Sequence, residues 1–272
     1  MCTMFMKLHK ESDMLFAAKT VDTPETVLTF DRKNSISNGY KYLYFKMGWQ
    51  EGINSGMNEK GLTILSSYAS TSKELPIPEI NGEDIRGIAN ESVLSKCSTV
   101  QDGLNLMEMV LKEQPSGVGG IHFLLDATGK MAILEHDPIE RVLNKKVIES
   151  DYAIRSNDPL LLRNRKNLKQ KEWEDRNLRY SQVKESMPQI QGEKWLESVK
   201  NLLGTHTSEG EKQDGQLCIH HFNNLGSRSK DLTTHTTMTA LIFDVKNRQL
   251  IYSEGPPCHG QWKVLSIIKR GA

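Results

Sequence analysis

Three short polar turns, each set between two apolar runs, restrict this chain more than any other feature. Ile121–Asp126 and Lys130–Glu135 flank Ala127-Thr128-Gly129; Thr3–Leu8 and Asp13–Lys19 flank Lys10-Glu11-Ser12; Met238–Asp244 and Gln249–Ser253 flank Val245–Arg248. Runs so closely joined pair as antiparallel hairpins, because a parallel crossover needs a dozen or more residues. Val27–Phe30, Tyr40–Trp49, Thr63–Tyr68, Val142–Ile148 and Tyr152–Arg155 read as further strands. Helical spacing enters from Gly82, with Ile85, Ile88, Ala89, Val93 and Leu94 on one stripe and Leu104, Met107, Met109, Val110 and Leu111 on a second. Ser98 or Thr99 is the expected N-cap of the second helix. Residues 160–215 are helical again, with Leu178, Val183, Met187, Trp195, Val199 and Leu202 as apolar positions and the charges of Arg163–Arg179 as a solvated face; 71–82 and 208–235 read as loops. The order of strands, a helix pair, strands, helices and strands predicts an α+β layered architecture over 1–272 as one domain.

Composition narrows the function. Among 272 residues, 35 Lys and Arg balance 34 Asp and Glu, so no basic field for nucleic acid exists. No apolar run reaches the roughly 18–20 residues of a membrane span. Lys7, His9, Lys10, Glu11 and Asp13 break up any apolar core of a signal peptide. Four cysteines, Cys2, Cys97, Cys218 and Cys258, lie far apart without CxxC spacing, which argues against a disulfide framework and predicts a reduced, cytoplasmic setting. There is no GxGxxG after a strand and no phosphate-binding loop, so a nucleotide enzyme is disfavoured.

Met1-Cys2-Thr3 carries the sharpest chemical possibility. Removal of the initiator methionine would leave a thiol and a free α-amine on one residue. An amine of reference pKa about 7.7–8.0 beside a thiol of about 8.5 can serve as the thiol's own base near neutral pH. Two rival constellations are weaker. Cys218-Ile219-His220-His221 has the look of a metal-ligand cluster but lacks further ligands at suitable spacing. Cys258 beside His259 follows a closing strand without the strand–turn–helix elbow of a nucleophile, and is read as structural.

Five blocks in order give the chain a resemblance. They are Met1-Cys2-Thr3; Ala18-Lys19-Thr20-Val21-Asp22; Ser55-Gly56-Met57-Asn58-Glu59-Lys60-Gly61-Leu62; His122 to Lys130 with Glu135; and Phe243-Asp244 through Glu254-Gly255-Pro256-Pro257-Cys258. Together they resemble the N-terminal nucleophile hydrolases of the linear-amide C–N hydrolase group, which includes penicillin V acylases, bile-salt hydrolases and the acyl-coenzyme A:6-aminopenicillanate acyltransferase type. The resemblance implies a four-layer αββα sandwich of two antiparallel sheets between helix layers. It implies Cys2 as nucleophile and Asp22 as the residue orienting the N-terminal amine. Lys19 stands where many relatives have arginine, and lysine lacks the bidentate fork. The Tyr68 backbone N–H and the Asn157 side-chain amide are the implied oxyanion donors. Arg179 resembles an arginine that supports the site from a helix, with Arg176 one turn away as its rival.

The expectation is therefore a cysteine amidohydrolase or acyltransferase acting on a small N-acyl amide through a thioester on Cys2. It needs no cofactor and no metal. The alternatives are a non-catalytic binder of small ligands on the same fold, and a metal-dependent hydrolase using His220 and His221. Assembly as a homo-oligomer is left open. Residues 31–50, 70–82 and 158–175 are the loops expected to set specificity.

Overall fold

All three hairpins form. The computed structural model describes residues 2–23, 26–34, 39–69, 84–113, 118–138, 140–162, 170–206, 215–220 and 236–267. One sheet holds six strands in the order β10 (Tyr152–Arg155), β1 (Met4–His9), β2 (Met14–Thr23), β11 (Thr236–Asp244), β12 (Gln249–Glu254) and β13 (Gln261–Ser266). The other holds seven in the order β3 (Leu28–Lys33), β4 (Tyr42–Met47), β5 (Ser55–Asn58), β6 (Thr63–Tyr68), β7 (Gly120–Leu125), β8 (Met131–Asp137) and β9 (Val142–Ile148). Every strand pair is antiparallel.

Strand parity sorts the apolar side chains into three cores. Met4, Met6, Leu15, Ala17 and Val21 from the six-stranded sheet meet Phe45, Met57, Leu65 and Phe123 from the seven-stranded one. The outer face of the seven-stranded sheet, with Ile64, Leu124 and Leu134, packs on α1 (Arg86–Lys96) and α2 (Val100–Glu113) through Val93, Leu94, Leu104 and Met107. Phe5, Phe16, Ala18 and Ile242 face the other way, onto Val183 of α3 (Gln170–Ser186) and Val199 and Leu203 of α4 (Trp195–Leu203). Helix, sheet, sheet, helix is the predicted four-layer sandwich.

The Ser55–Leu62 run earns its composition locally. Asn58 Oδ1 accepts from the N–H groups of Lys60 and Leu62, while its Nδ2 donates to the carbonyls of Leu94 and Cys97. One amide thus closes a turn and holds the C-terminal end of α1. Gly61, at φ 91°, supplies the left-handed step of that turn. A Cβ on Gly56 would lie 2.5 Å from Leu94 Cδ1 and 2.7 Å from the Leu43 carbonyl oxygen, so the close approaches are those of an α1 side chain and the β4 backbone. At α2, Thr99 is the N-cap: its Oγ1 accepts from Asp102 N–H at 3.1 Å.

Four expectations are corrected. β13 is a third closing strand, hidden because it is an edge strand with Val264 58% exposed. β2 runs to Thr23, since Lys19, Thr20 and Asp22 interrupt the apolar pattern yet are buried. Ile88, Met109 and Leu178 point to solvent despite their places on apolar stripes. The arginine-rich segment ahead of α4 is not wholly a solvated face, because Arg176 and Arg179 are buried. Much of the predicted loops 70–82 and 208–235 lies outside the described residues.

Candidate active site

β1 and β2 form the floor, in the register Met4↔Lys19. One step before β1, Thr3 N–H donates to Thr20 Oγ1 at 3.0 Å and the Thr3 carbonyl accepts from Thr20 N–H at 3.0 Å. The pairing therefore continues to the chain start. Cys2 shares the parity of Met4 and Met6, which turns it to the space between the sheets, and it is 8% exposed. Lys19 faces the same space and is completely buried. Its ammonium donates to Asn54 Oδ1 at 2.8 Å and to the Ser66 carbonyl at 2.6 Å. Burial pushes the Lys19 ammonium down from the usual lysine range, while the fields of Cys2 and Asp22 pull it back up.

Asp22 lies on the opposite face of β2, toward the helices. Thr237 Oγ1 donates to its Oδ1 at 2.7 Å. Burial pushes its carboxyl up, opposed by Arg179, the Thr237 bond and Lys19. Arg179 reaches in from α3 and donates to Thr3 Oγ1 at 2.9 Å. Arg176, one turn earlier, instead offers its backbone carbonyl to Ser156 Oγ at 2.8 Å. Of the two rivals, Arg179 is the one whose side chain contacts the N-terminal segment.

The remaining wall comes from the seven-stranded sheet and the residues after β10. Asn157 adopts φ 66° and is 1% exposed; asparagine tolerates this left-handed geometry better than most residues. Its Oδ1 accepts from Cys2 N–H, and its Nδ2 donates to the Tyr68 carbonyl at 2.7 Å. Ala69 N–H donates to the Gly119 carbonyl. By the alternation of an antiparallel ladder, the N–H and C=O of Tyr68, paired with Gly120, then point away from β7 toward Asn157. Glu135 on β8 steadies this corner by accepting from Arg155 Nε at 2.7 Å and from Leu161 N–H at 2.6 Å. A cavity of about 250 Å³ is lined by Arg155, Ser156, Asp158, Arg176 and Tyr180 among others, the chain neighbours of Asn157 but not Asn157 itself.

The structure thus gathers Cys2, Lys19, Asp22, Tyr68, Asn157 and Arg179 around the start of β1. Sequence reasoning missed Asn54, which holds Lys19, and Thr237, which holds Asp22. Asn54 adjoins the Ser55–Leu62 run and could have been found there; Thr237 stands in a polar stretch with no distinguishing signal. Behind β6, Ser66 Oγ meets His122 Nδ1 at 2.6 Å and accepts from Asn90 Nδ2 at 2.9 Å. This network is buried and stiffens the strand whose Ser66 carbonyl receives Lys19. His221 lies outside the described residues, and His220 is packed beside Cys258, apart from these groups.

The architecture is that of an N-terminal nucleophile hydrolase, with two antiparallel sheets between helix layers. Residues 10–255 match the family described as acyl-coenzyme A:6-aminopenicillanic acid acyl-transferase, and the chain belongs to that family. Membership places it among the linear-amide hydrolases and acyltransferases. Similar structures include penicillin V acylase from Agrobacterium tumefaciens, with a TM-score of 0.60 at 14% identity over 98% of this chain and 87% of that one. A mutant of conjugated bile acid hydrolase from Clostridium perfringens gives a TM-score of 0.57 at 14% identity over 100% and 94%. The ortholog of N-acylethanolamine-hydrolyzing acid amidase from Caenorhabditis elegans gives 0.54 at 11% over 90% and 93%. Among curated proteins none matches the sequence.

Proposed function

We propose that this protein cleaves or transfers the acyl group of a linear amide through a thioester on Cys2. The observation that carries the reading is the contact between the backbone nitrogen of Cys2 and Asn157 Oδ1, on an edge that also presents Tyr68. Nucleophile, base and oxyanion donors are then within one residue's reach of each other. The reading requires cleavage of the peptide bond preceding Cys2, which turns that nitrogen into a free amine.

The amine accepts the thiol proton as sulfur attacks the amide carbonyl. The Tyr68 N–H and the second Nδ2 hydrogen of Asn157 face the oxyanion that develops, each worth roughly 2.7–4 kcal/mol by comparison with similar donors. Collapse of the tetrahedral adduct breaks the C–N bond, and the Cys2 ammonium protonates the departing amine. Water or a second nucleophile then attacks the thioester, giving its proton to the Cys2 amine, and the thiol leaves with a proton restored. Lys19 supplies positive charge beside the sulfur. Arg179 acts as a positioning residue that fixes the chain start through Thr3, and Asp22, itself held by Thr237, orients the Cys2 amine.

A panel of short- and long-chain N-acyl amides tests the reading, with intact-mass detection of a trapped acyl adduct. Acylation should fall on Cys2 and vanish in Cys2→Ala. Turnover that survives in Cys2→Ala would sink the proposal. Adding an amine acceptor separates transfer from hydrolysis, because only transfer diverts the acyl group into a new amide.

A further inference from the structure

Away from the residues around Cys2, three chain segments bring cysteine and histidine side chains to one point. Cys218 Sγ lies 3.5 Å from Cys258 Sγ and 3.5 Å from His220 Nε2, and His220 Nε2 lies 3.1 Å from Cys258 Sγ. A tetrahedral zinc with Zn–S of about 2.3 Å and Zn–N of about 2.0–2.1 Å sets its ligand atoms roughly 3.3–3.8 Å apart. Three sides of such a tetrahedron are therefore already close to size. His206 is the fourth candidate: it offers a ring nitrogen within 4.8 Å of ligand atoms of His220 and Cys258, while Cys218 stands outside that grouping, so the His206–Cys218 edge has to shorten when an ion binds.

The surroundings are built for this convergence. Cys218 N–H donates to the Thr205 carbonyl at 3.0 Å, which draws the end of α4 to the 215–220 segment. A Cβ on Gly204 would sit 3.2 Å from Cys258 Cα, so glycine lets the turn after β12 approach that helix end. The turn is tightened by Gly260 N–H donating to the Pro256 carbonyl at 2.7 Å. His206 Nδ1 donates to the Gly204 carbonyl at 3.2 Å, which fixes the tautomer and leaves Nε2 with its lone pair. A backbone carbonyl on the far nitrogen is the usual partner of a metal-binding imidazole. His259 stacks on His220, with centroids 5.4 Å apart, and its Nδ1 lies 2.9 Å from Cys258 Sγ. Cys218 is 1% exposed, Cys258 and His220 are half-buried and His206 is exposed, so the Cys218 side is dry and the His206 side gives an ion its way in.

We propose that Cys218, His220, Cys258 and His206 form a structural zinc site. Two thiolates and two imidazoles in tetrahedral array select zinc over harder divalent cations. Four protein ligands close the coordination sphere, which makes the site structural rather than hydrolytic. Its effect reaches the Cys2 region through one strand. Ile219 N–H donates to Thr237 Oγ1 at 2.8 Å, the Ile219 carbonyl accepts from Thr237 N–H at 2.9 Å, and Thr237 Oγ1 donates to Asp22. Pinning Cys218 and His220 pins Ile219 between them, and with it the hydroxyl that holds Asp22.

Elemental analysis of the purified full chain tests the site, followed by cobalt(II) reconstitution of chelator-treated protein. The expected result is about one zinc per chain and, with cobalt, a thiolate charge-transfer band plus the visible bands of a tetrahedral ion. Cys258→Ser should lose much of the charge-transfer intensity. His206→Ala, at the exposed corner of the site, should bind the metal more weakly and lose most of the melting-temperature shift that chelation causes in the parent. Protein that carries no zinc and develops no thiolate–cobalt band overturns the proposal. So does a peptide map showing Cys218 and Cys258 joined as a disulfide in metal-free protein. None of these readouts depends on amide turnover, so the site and the reaction at Cys2 stand or fall separately.

Discussion

Lys19 sets the electrostatics around Cys2 from a fully buried position with two neutral acceptors, Asn54 Oδ1 and the Ser66 carbonyl. Lys19→Met should take this donor from the Ser66 carbonyl and leave Asn54 Oδ1 with Ser55 Oγ, at a cost of roughly 1–3 kcal/mol of stability, read by urea unfolding. The same change removes one of the positive charges that hold the Asp22 carboxyl down. That carboxyl should then need a higher pH to ionise, and the acid limb of the pH–rate profile should move toward neutrality. On the proposed mechanism Asn157→Ala removes a donor to the developing oxyanion and should lower kcat by about 10²–10³-fold, measured under single-turnover conditions. At this scale Cys2, Lys19 and Asp22 could be singled out because they sit in short recognisable blocks, whereas Tyr68 is reached only by counting on from the Ser55–Leu62 run and Asn157 stands outside all five blocks. Arg179 and Arg176 could not be separated by sequence, since both are buried and one helical turn apart. Thr237 was invisible, because its contact with Asp22 spans most of the chain.

Elements were legible wherever hairpin spacing or a capping residue acted locally. The turn at Ala127–Gly129 forms as read, with Asp126 Oδ1 accepting from Thr128 N–H and Lys130 N–H. β13 escaped because an edge strand need not bury alternate side chains, and the end of β2 escaped because burial there is polar. The Ser55–Leu62 run is the most recognisable stretch, yet its contacts are architectural. Asn58→Ala should leave the Leu94 and Cys97 carbonyls and two turn N–H groups without their partner, costing about 1–3 kcal/mol or more. Turnover per folded molecule should change little. A large fall in kcat at unchanged melting temperature would instead place this turn in the reaction.

Across the whole molecule, polar groups are buried between the seven-stranded sheet and its helices as well as around Cys2. His122 and His136 stack there with centroids 5.4 Å apart. Burial holds His136 down to about 4, helped by the Arg86 charge and offset by its bond to the Val118 carbonyl. Burial likewise holds His122 well below the ordinary histidine range. Above pH about 6.5 neither the folded nor the unfolded chain protonates them, and their contribution to stability is complete. Below that the unfolded chain takes up protons that the folded one refuses, at His136 until near pH 4. Stability should therefore fall between pH 6.5 and 4, by about 3 kcal/mol from His136. His136→Gln, which keeps a donor for Val118, should flatten the slope of unfolding free energy in that window. The layered order that creates this core also fixes a timetable. β1 is flanked by β2 and by β10, and Cys2 is closed in by Asn157, so the first strand synthesised has its hairpin mate β2 at once but waits on the ribosome for β10 and Asn157, about 150 residues later. The trimming ahead of Cys2 that the proposed reaction requires would have that interval in which to work, and protein refolded with residues still attached there should resist later trimming by an aminopeptidase.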